Sequence, residues 1–539
     1  MLKKLFSRFA FVALAIILVF TLDVLIIVGL IWLLATWLIQ TFPAAGPWIS
    51  FGMSVLSWII VFLTALHAAN RDMVPETKIP WILCIVIFNV FGVAIYAVFS
   101  SHRPNKRMQK KALMLSGRAA PFEKSDVAPE RFAQEAHRFS DVGEALLAVN
   151  PSACVYDGTK TEYFPVGEDF RDRLLADLER AEKYIFMEYF IIKKGEFWNA
   201  VLDVLARKVQ QGVEVRFMYD DIGCMGRVHL AYHRKIQKMG IKCVKFNPFV
   251  PVVTNVHNNR DHRKITVIDG KIGYTGGINL ADEYVNIDSP FGHWKDTAVR
   301  LEGEGVKGLL LMFLKLYNLA TRGEGEDFAP YIPETYERFE GEGFVQPYGG
   351  GPRPVYPRSV CEDVYINIIN AARDYLWIMT PYLIIDYRMR EALILAAERG
   401  VDVRLITPHI PDKKIAFALT RSNYLALIRG GVKIYEYTPG FVHAKGFLAD
   451  DKVGVVGTVN LDYRSFIHHY ENAVLMYRTK SLVSMREDFE KTFAVSRRQT
   501  PEDAKKNVVW RWVCETPNCS RRSSDPPLRG RAGIKSGKT

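Results

Sequence analysis

The chain has 539 residues, of which 49% are hydrophobic and 24% charged, with a mean hydropathy of +0.01. That is long enough for two catalytic units with accessory segments, and more apolar than a soluble protein of this charge is expected to be. The formal net charge of +12 lies outside residues 112–500, which are formally neutral; this weighs against a nuclease, whose catalytic body is expected to be basic. Seven cysteines, an odd and scattered number, argue against a disulfide framework, and Cys514 and Cys519 lack a second Cys or His pair for zinc.

The first elements are apolar. Phe9 to Ile39, Ile49 to Ala69 and Ile79 to Phe99 each reach the ~20 residues of a spanning helix. They read as membrane anchors rather than a cleaved signal peptide, and residues 1–100 as the transmembrane segment. The first stretch contains Asp23, and the number of crossings is left open by a conflict of charge. Lys3, Lys4 and Arg8 precede the first stretch, while Arg103, Lys106, Arg107, Lys110 and Lys111 follow the last. The positive-inside rule draws both ends to the cytoplasm, whereas three crossings would separate them. The larger cluster adjoins the rest of the chain, so the catalytic lobes are expected on the cytoplasmic face. Residues 101–150 read as a polar linker with a short helix around RFAQEAHRF.

An internal repeat follows. AEKYIFMEYFII from Ala181 resembles ARDYLWIMTPYLII from Ala372; GVEVRFMYD at Gly212 resembles GVDVRLITP at Gly400; GIKCVKF at Gly240 resembles GVKIYEY at Gly431. Apolar runs rich in Val, Ile and Tyr alternate with helix-length amphipathic stretches, which predicts α/β units. Val306 to Leu319 is expected to be a core helix, being shorter than a span. The Gly and Pro cluster from Gly341 to Pro357 is expected to separate the lobes, giving residues 151–345 and 346–500. Residues 501–539 read as a basic, disordered tail.

Each half carries HxKxxxxD: HRKITVID from His262 to Asp269, and HAKGFLAD from His443 to Asp450. Gly276 and Asn279 follow the first copy, Gly457 and Asn460 the second, all with one offset of 181 residues. One copy would mean little; two with the same trailing Gly and Asn mark a site assembled from both halves.

These paired motifs resemble the phospholipase D superfamily, and NLDYRSF from Asn460 is similar to its bacterial cardiolipin synthase branch. The likeness runs from about Tyr163 to about Arg498, and the apolar pair from Ile49 to Phe99 resembles the membrane hairpin ahead of such domains. It implies two α/β lobes facing each other as an internal pseudo-dimer, and a metal-free, cofactor-free phosphatidyltransferase. Its expected partners are phosphatidylglycerol and anionic membrane lipid, not nucleic acid. The alternatives are a phosphodiesterase using the same residues, either lipid hydrolase or nuclease, and a non-catalytic membrane scaffold.

The residue types suit that chemistry. A phosphodiester anion repels nucleophiles, so the site must supply positive charge and proton transfer. Lys264 and Lys445 can neutralise phosphoryl oxygens, and Asn279 and Asn460 can donate hydrogen bonds to them. Two residues apart on a strand, the His and Lys of each motif point the same way. The resemblance implies that His262 attacks phosphorus and His443 serves as acid and base. It also implies that the carboxylate of one half orients the His of the other, pairing Glu471 with His262 and Asp296 with His443. Asp269 and Asp450 complete the motifs and, at the start of DGK and DDK turns, are expected to fix the loop.

Overall fold

The computed structural model describes residues 29, 33, 34, 36, 37 and 39–505, apart from 72, 74, 101–105, 250–257, 322–324, 354 and 357. Most of the first apolar stretch and the tail beyond Lys505 lie outside the described residues. Gly46–Asn70 (α1) and Pro75–Phe99 (α2) are both long and apolar enough to cross a membrane. They pack on each other through Val61, Ala68, Ile85 and Tyr96. α1 is continuous, while α2 is interrupted at Asn89, whose φ of 51° and ψ of −131° are not helical.

The segment read as a linker is mostly helical: Lys106–Ala119 (α3), Pro129–Ala136 and Ser140–Val149. Its apolar residues recur every three or four positions among charged ones, the pattern of helices lying on a core. Leu115 and Ala119 of α3 pack into the core around the helix Val306–Ala320, and Phe132, Phe139 and Leu146 pack onto the second lobe.

The first lobe holds Lys160–Phe164 (β1), Tyr184–Tyr189 (β2), Glu214–Asp220 (β3), Lys242–Phe246 (β4), Lys264–Ile268 (β5), Ile272–Gly276 (β6), His293–Lys295 (β7) and Ala298–Glu302 (β8). The second holds Phe344–Gly350 (β9), Tyr375–Met379 (β10), Leu383–Ile384 (β11), Asp402–Pro408 (β12), Lys433–Tyr437 (β13), Gly440–Val442 (β14), Gly446–Ala449 (β15), Val453–Gly457 (β16), Leu461–Asp462 (β17), Glu471–Tyr477 (β18) and Ser496–Arg498 (β19). The large sheets run β1-β8-β6-β5-β2-β3-β4 and β19-β13-β12-β10-β15-β16-β18-β9. Matched strand for strand, the two orders are the same, with β19 added at one edge. In each, three parallel strands (β2-β3-β4 and β10-β12-β13) adjoin an antiparallel set. The duplication in the sequence is therefore a duplication of topology.

The cluster from Gly341 to Pro357 does more than part the lobes, because β9 lies within it and pairs with β18. An edge strand accommodates Pro347, which has no N–H to give a second neighbour. The lobes meet across a shared core. Ile265, Val267, Val299 and Leu301 of the first face Trp377, Met379, Leu448, Val456, Val474 and Met476 of the second, and the buried helix Val306–Ala320 joins the same cluster.

Candidate active site

Strand pairing across the lobe boundary sets the site. β7 pairs in parallel with β14, and Asp261 bridges Tyr470. The His262 backbone N–H donates to Tyr470 O at 2.9 Å, and the His443 N–H donates to Lys295 O at 2.7 Å. Tyr470 and Lys295 immediately precede Glu471 and Asp296. Each histidine thus lies opposite the carboxylate of the other lobe, fixed through the backbone.

The side chains complete the pairs. His262 Nδ1 lies 3.0 Å from both Glu471 oxygens, and His443 Nδ1 lies 2.6 Å from Asp296 Oδ2. Lys264 donates to His262 O at 2.5 Å, and Lys445 donates to His443 O. Lys445 Nζ is also 2.8 Å from His443 Nδ1. One ring nitrogen cannot both donate to Asp296 and accept from Lys445; the shorter contact to a carboxylate assigns the proton to Nδ1, leaving Nε2 for substrate. The six residues His262, Glu471, Lys264, His443, Asp296 and Lys445 are brought together from four segments of chain, and all are buried.

Electrostatics follow from that burial. Desolvation holds His262 well below the ordinary imidazole range, with Lys264 adding to the effect against Glu471. Desolvation and Lys445 bring His443 down to about 4, and desolvation lowers Lys264 to about 8 and Lys445 to about 7. Burial alone would raise the two carboxylates, but the facing histidines override it and both lie below the usual range. The site at rest therefore holds neutral imidazoles on ionised carboxylates, the state a nucleophilic nitrogen requires.

Asn279 and Asn460 are buried beside these pairs. Asn279 Oδ1 accepts from the Ile191 N–H at 3.0 Å, which leaves Nδ2 without a protein partner; Asn460 Oδ1 also has none. Asp269 and Asp450 sit elsewhere. Asp269 accepts from the backbone N–H groups of Glu182, Lys183 and Tyr184, and Asp450 from those of Arg373, Asp374 and Tyr375, at 2.7 to 2.9 Å. With φ of 53° and 54°, both form the turn after the motif strand and tie it to the start of β2 or β10.

Three residues escaped the sequence reading. His469 is buried, with neither ring nitrogen hydrogen-bonded, 3.6 Å from Glu471 and 5.4 Å ring to ring from His262. Thr458 donates its hydroxyl to Glu471 and accepts the Asn472 N–H. Its counterpart is Gly277, where a Cβ would stand 1.9 Å from Asp296 Oδ1. The signal was present as GGIN against GTVN, and as the paired His of IHHYEN. Among the described residues, His262, His469 and Glu471 form one group able to hold a metal, with ligand atoms within 4.8 Å of one another. Phe190 meets the His262 ring at 4.9 Å, and Tyr284 and Trp294 meet His443 at 5.2 and 5.3 Å, walling both imidazoles with aromatic faces.

A family profile described as cardiolipin synthase, PLD-like domain, matches residues 174–289 and 365–493. A cardiolipin synthase of Alkalihalophilus pseudofirmus is 33% identical over 465 residues, covering 85% of this chain and 88% of that protein. The chain belongs to the cardiolipin synthase family of the phospholipase D superfamily. Within it, cardiolipin synthase 2 of Bacillus anthracis is 34% identical over 80% of this chain and 82% of its own length. An uncharacterized protein of Streptococcus mutans is 44% identical, covering 83% and 96%. The crystal structure of phosphatidylserine synthase from Haemophilus influenzae shares the fold, with a TM-score of 0.50, 15% identity and coverage of 66% and 93%. The two-lobed α/β architecture and the apolar helices ahead of it accord with that family, and the chain is a membrane-associated phosphatidyltransferase.

Proposed function

We propose that this protein makes cardiolipin and glycerol from two molecules of phosphatidylglycerol, with His262 as nucleophile and His443 as acid and base. The observation that carries the reading is the pair of cross-lobe His–carboxylate contacts, with two buried lysines between them. Lys264 and Lys445 bracket the phosphoryl oxygens, and the Asn279 and Asn460 amides donate to them. The anion restores the charge on both ammoniums and on His443, which desolvation suppresses in the empty site. His443 therefore becomes an acid when the substrate arrives.

In the first step His262 Nε2 attacks phosphorus, the bond to the headgroup glycerol breaks, and His443 gives its proton to the departing alkoxide. In the second, His443 takes the proton of a headgroup hydroxyl on a second phosphatidylglycerol; that oxygen attacks phosphorus and the P–N bond breaks. Glu471 holds His262 in the tautomer that leaves Nε2 free, and Asp296 stabilises the charged His443. Asp269 and Asp450 act through the fold and not on the substrate. The lobes, from the strand Lys160–Phe164 to the strand Ser496–Arg498, work on the cytoplasmic face of a multi-pass protein, with the basic segment from Arg103 to Lys111 against anionic headgroups.

The covalent step gives the direct test. Quenching enzyme and phosphate-labelled phosphatidylglycerol with denaturing detergent at neutral pH should trap an acid-labile phosphoramidate on the peptide carrying His262. His262→Asn should form none. An adduct retained in His262→Asn would assign the nucleophile to the other lobe.

A further inference from the structure

By composition α2 is a 25-residue apolar helix, yet its geometry is that of a hairpin. Trp81 and Tyr96 meet edge to face with ring centroids 5.5 Å apart, where a continuous helix would separate them by about 22 Å. Gly92 lies so close to the first limb that a Cβ there would stand 2.2 Å from Cys84 O, although the two are eight positions apart. Arg71, just before α2, donates to the Ser100 hydroxyl just after it at 3.0 Å. The chain reverses at Asn89. Its φ of 51° with ψ of −131° lies outside the helical region and breaks the helix there.

The reversal lies half-way along α1. Ser57, near the middle of that helix, donates to Asn89 Oδ1 at 2.8 Å, while His67, near its end, meets Tyr96 at 6.2 Å. Both ends of α2 are therefore level with the C-terminal end of α1, and the turn is level with its centre. That end is fastened to the catalytic body. The Thr77 and Tyr463 hydroxyls are 2.7 Å apart, and the Tyr387 N–H donates to Glu76 at 3.1 Å. The outer surface of the bundle carries exposed Trp58, Phe62, Ile79, Ile87 and Phe88, a surface suited to hydrocarbon.

We propose that α2 is a re-entrant element that enters and leaves the bilayer on the side of the catalytic lobes, and that α1 crosses. The limb from Pro75 to Phe88 is about 20 Å long, short of a hydrocarbon core of ~30 Å. A non-helical turn at that depth needs a protein partner for its polar groups, and Ser57 supplies one to the Asn89 side chain. The topology resolves the conflict of charge in the sequence. With one crossing in Phe9 to Ile39 and one in α1, the basic residues at Lys3, Lys4 and Arg8 and those from Arg103 to Lys111 share one face, as the positive-inside rule requires. The inference rests on membrane anchoring and is independent of the reaction.

The test uses the full chain in native membranes. Arg71→Cys with Ser100→Cys should join through a short bismaleimide, giving a linked peptide by mass spectrometry that neither single variant gives. A spanning α2 would hold the two nearly 40 Å apart. In parallel, Met73→Cys and Ala120→Cys are probed with an impermeant thiol reagent in intact cells and in inside-out vesicles. Labelling of both on the same face, with the linked peptide, is the expected result. Labelling on opposite faces overturns the re-entrant topology, and so does absence of the link when both positions of the double variant react with a monofunctional maleimide. Neither readout depends on turnover, so a failure here is distinct from a failure of the proposed reaction.

Discussion

At the scale of single residues, the site depends on charges that burial makes easy to remove. Lys445, held at about 7, and Lys264, at about 8, are charged only below those values in the free enzyme. kcat/KM for phosphatidylglycerol should therefore fall as pH rises through 7 and 8, because deprotonation removes the charge that receives the phosphate. The limb in kcat should lie higher, since the bound anion holds both protons. A kcat/KM flat to pH 9 would contradict this assignment. Gly277→Ala tests the other lobe, where a Cβ must displace Asp296 from His443. It should lower kcat on the order of 10²-fold or more, the range of general acid–base catalysis, with a smaller change in KM. The motif residues were legible because two copies share one offset. His469 and Thr458 stand inside the motif segments but break the repeat, and their significance comes from contact with the Glu471 carboxylate, which only the fold displays.

At the scale of elements, the two motif aspartates hold strands in place. Asp450 gathers the N–H groups of Arg373, Asp374 and Tyr375 and pairs with Arg138. Asp450→Asn keeps a residue that tolerates the turn but loses the charge, and should cost about 2 kcal/mol in stability. Thermal unfolding should shift down while kcat of the folded enzyme is unchanged; a loss of kcat without a loss of stability would place Asp450 in the chemistry. The repeat made the α/β elements readable, down to the buried helix Val306–Ala320. β9 was obscured by its Gly and Pro content, which marks a linker in a sequence and an edge strand in this fold. The helix around RFAQEAHRF was legible, while Lys106–Ala119 and Ser140–Val149 were not, because a polar, charged stretch reads as a linker until its packing is seen.

At the scale of the whole molecule, a shared core and two cross-lobe backbone bridges bring the motifs of both copies together in one place. The two-lobed architecture could be read from the duplication, but the membrane topology could not. Hydropathy counts apolar residues and is blind to a chain that turns back, and Asn89 within an apolar run was the one local sign. The catalytic body, the C-terminal end of α1 and both ends of α2 lie together, and in the proposed topology this sets the site beside the leaflet that supplies its lipid. The central claim is the transfer itself. The measurement is incubation of the purified, detergent-solubilised protein with phosphatidylglycerol alone, with lipid products resolved by mass spectrometry beside His262→Ala and His443→Ala. Cardiolipin with an equal amount of released glycerol, lost in both variants that remain folded, is the predicted result; phosphatidic acid as the sole lipid product would make water the acceptor and contradict the synthase.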